Sequence, residues 1–225
     1  MATDYRIKNL IIKSLKHHRQ RYIDQDAGFT LIEMMVVLLM IGILSAISAP
    51  SWLGFISQQR LNKANDGVAS FIQQTQSEAK KTKRTYSVSF RVNSTTNIPE
   101  YMIYQGTILP SSGWISLADT ISLKSREVFL YTNLTSLAAY NTITTDKQIV
   151  QTATGTGTIT FDNQGILANK STGLVTDTPL AIMVAAPLST GSTSSNSKRC
   201  VIIQSLIGGI RTAKDSSCQT IYTGS

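Results

Sequence analysis

The spacing of apolar and polar residues changes three times along the chain. Residues 1–28 are polar and rich in basic side chains, and residues 29–51 are almost all apolar or small. Residues 52–84 carry apolar side chains at steps of three, four and seven, the spacing of one helix face. From residue 85 apolar and polar residues alternate, as in half-buried strands. The pattern predicts a leader, a membrane helix, an amphipathic helix continuing it, and a β-rich exterior domain over 85–225.

The apolar stretch is long enough to cross a membrane. Residues 29–49 make 21 residues, about 30 Å of helix, which matches a bilayer core. Residues 1–28 hold six Lys or Arg and three Asp, so the N-terminus is expected to stay in the cytoplasm and the rest of the chain to cross outward. Pro50 is expected to kink the helix because it lacks an N–H group.

Glu33 is an acid inside this apolar stretch, and three interpretations compete for the segment. It is a secretory signal peptide cut near residues 46–48, an uncleaved anchor, or a segment cut between Gly28 and Phe29. A charge buried in lipid costs several kcal/mol and usually has a partner. The third interpretation supplies that partner, because the cut frees an α-amine on Phe29, on the same chain or on a neighbour.

The exterior domain is predicted to be a set of short strands packed on the amphipathic helix. No second long helical pattern follows residue 84, so the fold class is α+β with antiparallel sheets. Turn residues occur at 162–165 and 208–209. The predicted strands are residues 86–92, 100–105, 121–123, 127–131, 158–162, 180–185 and 199–207.

The titratable and sulfur-containing residues argue against catalysis. His17 and His18 are the two histidines, and both precede the predicted cut. No nucleophile–base grouping or carboxylate pair is apparent, so a membrane-anchored enzyme is the weakest hypothesis, and neither cofactor nor metal is predicted. Cys200 and Cys218 predict one disulfide in an oxidising compartment, the alternative being two reduced core cysteines.

The stretch GFTLIEMMVVLLMIGILSAISAP resembles the N-terminal signature of type IV prepilins and type II secretion pseudopilins. The resemblance implies that a prepilin peptidase/methyltransferase cuts after Gly28 and methylates the Phe29 amine. It implies that Glu33 neutralises the Phe29 amine of an adjacent subunit, and that Pro50 is the kink position. The protein would cross the bacterial inner membrane once, with its exterior domain in the periplasm, and would join other pilins or pseudopilins in a surface filament.

The C-terminal part carries a second resemblance. GTITFDNQGIL, PLAIMVA and RCVIIQSLIGGIRTAK are similar to the H-like (GspH/FimT) minor pilins and pseudopilins. Phe161, Asp162, Gly165, Gly209 and Arg211 fill the places of that pattern. The resemblance implies a minor component that initiates or caps a type IV pilus or a secretion pseudopilus.

DNA binding in DNA uptake is the alternative function. Some members of the family bind DNA through arginines in this last stretch, and Arg199, Arg211 and Lys214 are the candidate phosphate contacts here. The competing interpretation is an exposed strand edge whose cations prevent aggregation. A second basic cluster, residues 80–84, is expected to stabilise the end of the helix, with a phosphate or lipid patch as the alternative.

Overall fold

The computed structural model describes residues 28–121, 127–144, 149, 155–168, 179–186, 197–204 and 207–218. The leader up to residue 27 and part of the strands predicted at 121–123 and 199–207 lie outside these residues. The chain forms two compact units, Met1–Pro50 and Ser51–Ser225, each described by itself below.

One long helix, α1 (Leu31–Thr82), begins in the first unit and continues into the second. Its first part contains one candidate membrane span, Leu31–Ser48, with a mean hydropathy of 2.4. None of the residues of this span is buried. The large apolar side chains of this span are exposed within the first unit, as expected of a segment whose solvent is lipid. Residue 50 is helical, and the kink expected at Pro50 stays a prediction.

In the second unit α1 is amphipathic. Its buried apolar residues recur every three or four positions and include Leu61, Val68, Phe71 and Ile72. The helix ends at Thr82, and Lys83 then adopts a left-handed conformation with φ 57°, a common way for a helix to stop.

Within the described residues, eight strands form two antiparallel four-stranded sheets. They are β1 (Tyr86–Val92), β2 (Pro99–Gln105), β3 (Ile115–Ser116), β4 (Phe129–Thr132), β5 (Gly157–Phe161), β6 (Leu180–Ala185), β7 (Lys198–Ile203) and β8 (Ile210–Lys214). The strand orders are β3-β2-β1-β5 and β4-β6-β7-β8. A short helix, α2 (Leu117–Ile121), and a 3-10 helix (Asp215–Cys218) complete the described elements.

The two sheets approach each other at Gly155. Its N–H donates to the carbonyl oxygen of Leu130 over 3.0 Å. A Cβ at this position would lie 2.5 Å from that oxygen, so glycine is required for the close approach.

The main core lies between the buried face of α1 and one face of both sheets. Apolar side chains from β1, β4, β5, β6 and β7 contribute to it. Phe71 of the helix stacks on Tyr101 of β2, with ring centroids 3.6 Å apart and planes 12° apart. The predicted α+β class, with antiparallel sheets packed on the amphipathic part of the helix, is confirmed.

The opposite face of the first sheet is buried through hydroxyl groups. Ser87 bonds to Thr160 over 2.7 Å and Ser89 to Thr158 over 2.6 Å, and all four are buried. Residues 133–144 cover this face, where Asn141 both donates to and accepts from the backbone of Thr160. Buried polar groups need hydrogen-bond partners. These hydroxyl groups therefore form a specific contact between the sheet and residues 133–144, and the face is not open to solvent.

Two strand predictions need correction. Residue 121 ends α2 instead of beginning a strand, because Ser116 caps that helix by accepting the Ala118 N–H over 3.0 Å. The long strand predicted at 199–207 ends at Ile203, and Gly208, with φ 76°, helps turn the chain into β8. Strands β1 and β6 have the predicted bounds, and β3 and β8 were not predicted as strands.

Replacement of Ile72 by alanine tests the helix–sheet core. Ile72 is fully buried, so Ile72→Ala is expected to lower the free energy of unfolding by about 2–5 kcal/mol. Its neighbour Gln73 is exposed, and Gln73→Ala, the matched control, is expected to change it by less than about 0.5 kcal/mol. Urea unfolding of the full chain in detergent, followed by near-UV circular dichroism, measures both. Equal midpoints for the two variants would contradict the packing.

Candidate assembly segment and C-terminal hairpin

The first turn of α1 is built around Thr30 and Glu33. Thr30 precedes the helix, and its hydroxyl oxygen accepts the Glu33 N–H over 3.3 Å. Its carbonyl oxygen accepts the Met34 N–H over 3.2 Å, the first helical bond. Thr30-Leu-Ile-Glu33 has the sequence of a capping box, in which an acid at the third helical position favours the helix start. Sequence reasoning missed this role, although the T-x-x-E spacing signals it.

The predicted cleavage site lies just before this turn. Residues 28–30 are not helical, and a Cβ built on Gly28 would meet no atom within 4 Å. Phe29 is 77% exposed, and Glu33 is exposed as well. Phe29 precedes Glu33 by four residues in the sequence. Both groups are therefore accessible in the first unit, to each other or to a neighbouring chain.

The pairing of β7 with β8 separates the three predicted DNA-contact residues. Arg199 is opposite Lys214, and Ile202 is opposite Arg211. Side chains alternate between faces along a strand. Val201, which shares a face with Arg199, belongs to the core under α1, while Ile202 belongs to a second cluster on the other face. Arg199 and Lys214 therefore share the helix side of the sheet, and Arg211 lies on the opposite side.

Arg199 fastens the hairpin to the helix. Its Nε donates to Oδ1 of Asn62 on α1 over 2.9 Å, and its Nη1 donates to the Lys198 carbonyl over 2.8 Å. Nη1 also lies 3.5 Å from a carboxylate oxygen of Asp215. The Arg199 side chain is only 11% exposed, so a structural role accounts for its contacts.

The two other cations differ in their surroundings. Arg211 is exposed, and Nε and Nη2 of its guanidinium each donate over 3.2 Å to the side-chain oxygen of Gln204, in the amide orientation that satisfies both residues. Lys214 is exposed near the end of β8. The trio therefore does not form one patch.

Cys200 and Cys218 form the predicted disulfide. Their Cα atoms are 5.8 Å apart, within the usual range for a disulfide, and both residues are buried. The bond connects β7 with the 3-10 helix that follows β8. It lies in the second cluster, with Met183, Ile202 and Ala213. The C-terminal hairpin is thereby closed by a covalent link on the face away from α1.

One glutamine of the helix holds two turns that sequence reasoning treated separately. Gln76 Nε2 donates to the carbonyl oxygens of Gly165 over 2.8 Å and of Ile207 over 3.0 Å. The first turn is shaped by Asp162, whose carboxylate accepts the N–H groups of residues 164 and 166, both over 2.9 Å. No local signal marks Gln76, since its role depends on which loops fold onto it.

Comparisons with known proteins bear on the N-terminal segment. The family model described as the prokaryotic N-terminal methylation motif matches residues 24–49. That range contains Gly28, Phe29 and Glu33, whose roles in cleavage and assembly stay predictions. The N-terminal segment therefore carries a methylation motif of the kind that the resemblance implied.

Two further comparisons were with curated proteins and with solved structures. No curated protein matches this chain. Among solved structures it is similar to the type IV minor pilin FimU of Pseudomonas aeruginosa, at 14% identity and a TM-score of 0.40. That likeness covers 72% of this chain and 94% of the FimU chain.

Loss of the disulfide is expected to loosen the second unit. A crosslink with 17 residues between its cysteines contributes about 3 kcal/mol in the chain-entropy model. Replacing Cys200 and Cys218 together by alanine should lower the free energy of unfolding by that amount. Chemical denaturation of the full chain with and without reductant measures it, and reductant should not affect the double variant. Free thiols in the purified native protein would contradict the bond.

Proposed function

We propose that this chain is a minor pilin or pseudopilin, a structural subunit without enzymatic activity. It would initiate or cap a type IV pilus or a type II secretion pseudopilus after cleavage between Gly28 and Phe29. The observation that carries the proposal is the match of the methylation motif to residues 24–49. An exposed candidate span, Leu31–Ser48, lies within those residues and supports membrane anchoring before assembly.

Processing is the first step. A prepilin peptidase/methyltransferase would cut after Gly28 and methylate the new amine of Phe29. The non-helical, uncrowded backbone at residues 28–30 supports this step, because a peptidase needs an extended segment and a helix would first have to unwind. The chemistry belongs to the peptidase, and this chain supplies the substrate.

Assembly is the second step, and Glu33 is its central residue. Two opposite charges 4 Å apart attract by about 4 kcal/mol at an effective dielectric constant of about 20. That is comparable to the several kcal/mol that a buried, unpaired carboxylate costs in lipid. Pairing with the Phe29 amine of an adjacent subunit would therefore favour the filament over the lone chain in the membrane.

Loss of the Glu33 charge tests the proposal. Glu33→Ala, Glu33→Leu and Glu33→Gln are expected to insert into the membrane normally but to be depleted from the filament, because each removes the counter-charge. Carbonate extraction measures insertion, N-terminal mass spectrometry confirms a methylated Phe29, and immunoblotting of sheared filaments measures incorporation.

Thr30→Ala is the matched control for this test. It removes the hydroxyl that accepts the Glu33 N–H but keeps the charge, so it separates capping from charge pairing. We expect Thr30→Ala to enter filaments. Normal incorporation of the three Glu33 variants would overturn the assembly role.

DNA contact during uptake remains the alternative, supported by the exposed cations of the β7–β8 hairpin. Because Arg211 and Lys214 lie on opposite faces of the sheet, one bound duplex would meet one of them first. If the helix-side face binds, Lys214→Ala should reduce the slope of log affinity against log salt by about 0.9, and Arg211→Ala should leave it unchanged. Fluorescence anisotropy of labelled duplex with the full chain in detergent measures the slopes. Equal slopes for wild type and both variants would rule out this surface.

A further inference from the structure

Two aromatic side chains of the second unit are exposed on α1, shortly after the candidate span. Trp52 is 64% exposed and Phe55 is 54% exposed. They are three residues apart and therefore lie on one side of the helix. Their ring centroids are 6.1 Å apart, so they form one surface, named here the aromatic pair.

The aromatic pair contrasts with the rest of the second unit. Among the described residues of that unit, the other aromatic side chains are buried or half-buried. Along α1 the change is abrupt, because Leu61 and the apolar residues after it are buried in the core. An exposed apolar surface of this kind usually marks a binding surface.

Covalent geometry limits where the aromatic pair can lie. Trp52 follows Ser48, the last residue of the span, by four residues. Four residues extend over at most about 14 Å in any conformation. The headgroup layer on each side of the hydrocarbon core is about 5–8 Å thick. Trp52 can therefore reach the headgroup layer.

The chemistry of the pair fits that layer. Tryptophan is enriched at membrane–water interfaces, where its ring lies among apolar groups and its N–H meets a polar partner. Polar residues follow directly along the helix, at Gln58, Gln59 and Arg60. Arg60 also pairs with Glu127 across 2.6 Å, which fastens this part of the helix to the chain that leads into β4. A bound aromatic pair would therefore hold the β domain as well.

We propose that Trp52 and Phe55 form a docking surface for the headgroup layer of a phospholipid bilayer. Before assembly this surface holds the second unit against the membrane. The occupant is lipid because Trp52 follows the last residue of the span by only four residues and the pair carries interfacial residue types. The inference rests on the proposed function in taking Leu31–Ser48 as a membrane span.

The chain has two tryptophans, which makes the proposal measurable. In the Trp114→Phe variant, Trp52 is the one tryptophan left, and excitation at the red edge of the absorption band selects it over the tyrosines. The full-length variant is reconstituted, at a low protein-to-lipid ratio, into vesicles of phosphatidylethanolamine and phosphatidylglycerol. One set of vesicles has bromine on the acyl chains near the headgroup, and another has it near the chain ends. We expect blue-shifted Trp52 emission that loses more than half its intensity with shallow bromine and much less with deep bromine.

Trp52→Phe is the matched control, since it leaves Trp114 as the reporter. Trp114 stacks against Arg91, with the guanidinium carbon 4.1 Å from the ring centroid, and its emission should be quenched by neither lipid. Quenching of both tryptophans to the same extent would overturn the assignment of the docking surface to Trp52.

Insertion of the span is measured separately by carbonate extraction, so that two failures are distinguishable. If the chain inserts but Trp52 is not quenched, the docking surface is overturned and the proposed function stands. If Trp52 is blue-shifted, unquenched and sensitive to the protein-to-lipid ratio, a second copy covers the pair, and lipid docking is again overturned. A chain that does not insert overturns the docking surface together with the membrane anchoring in the proposed function.

Discussion

The helix α1 must bury apolar side chains in two different surroundings, and this requirement shapes the rest of the molecule. Between Leu31 and Ser48 the apolar residues surround the helix and are exposed within their unit. From Leu61 onward they occupy one face and are buried under two sheets. A helix that is apolar all round suits lipid, and a helix with one apolar stripe suits a protein core. In the sequence, the aromatic pair lies between the stretch that is apolar all round and the stretch with one apolar face.

The alternation of side chains in β7 and β8 constrains what the C-terminal hairpin can do. One face meets the helix through Val201 and Arg199, and the other carries the disulfide at Cys200. Residues that are adjacent in sequence therefore make different contacts, some with the helix and some with the disulfide. A basic stretch that looks like one patch is divided by the strand geometry, and its least exposed member, Arg199, becomes a fastening point on Asn62.

Sequence reasoning succeeded where a pattern repeats and fell short where a contact is made at a distance. The spacing of apolar residues predicted an apolar and an amphipathic part of α1 and the bounds of β1 and β6. The pair of cysteines predicted the disulfide. The strand predicted at residue 121 was wrong because the cap at Ser116 outweighs a short apolar run. The burial of Ser87, Ser89, Thr158 and Thr160 was not predicted, because no local signal shows that residues 133–144 cover them.

Glu33 has an observed role at the start of the helix and a proposed role in assembly, and a comparison of their free energies shows why the proposed role needs a partner. As an acid in the first turn, next to the Thr30 cap, it gains about 0.3–1 kcal/mol from the helix dipole. Burial of an unpaired carboxylate in lipid costs several kcal/mol. The local gain explains why an acid is tolerated at the start of α1, but it does not offset burial. The remainder has to come from a cation at the same depth, and the amine that cleavage would create on Phe29 is such a cation, one helical turn away in sequence.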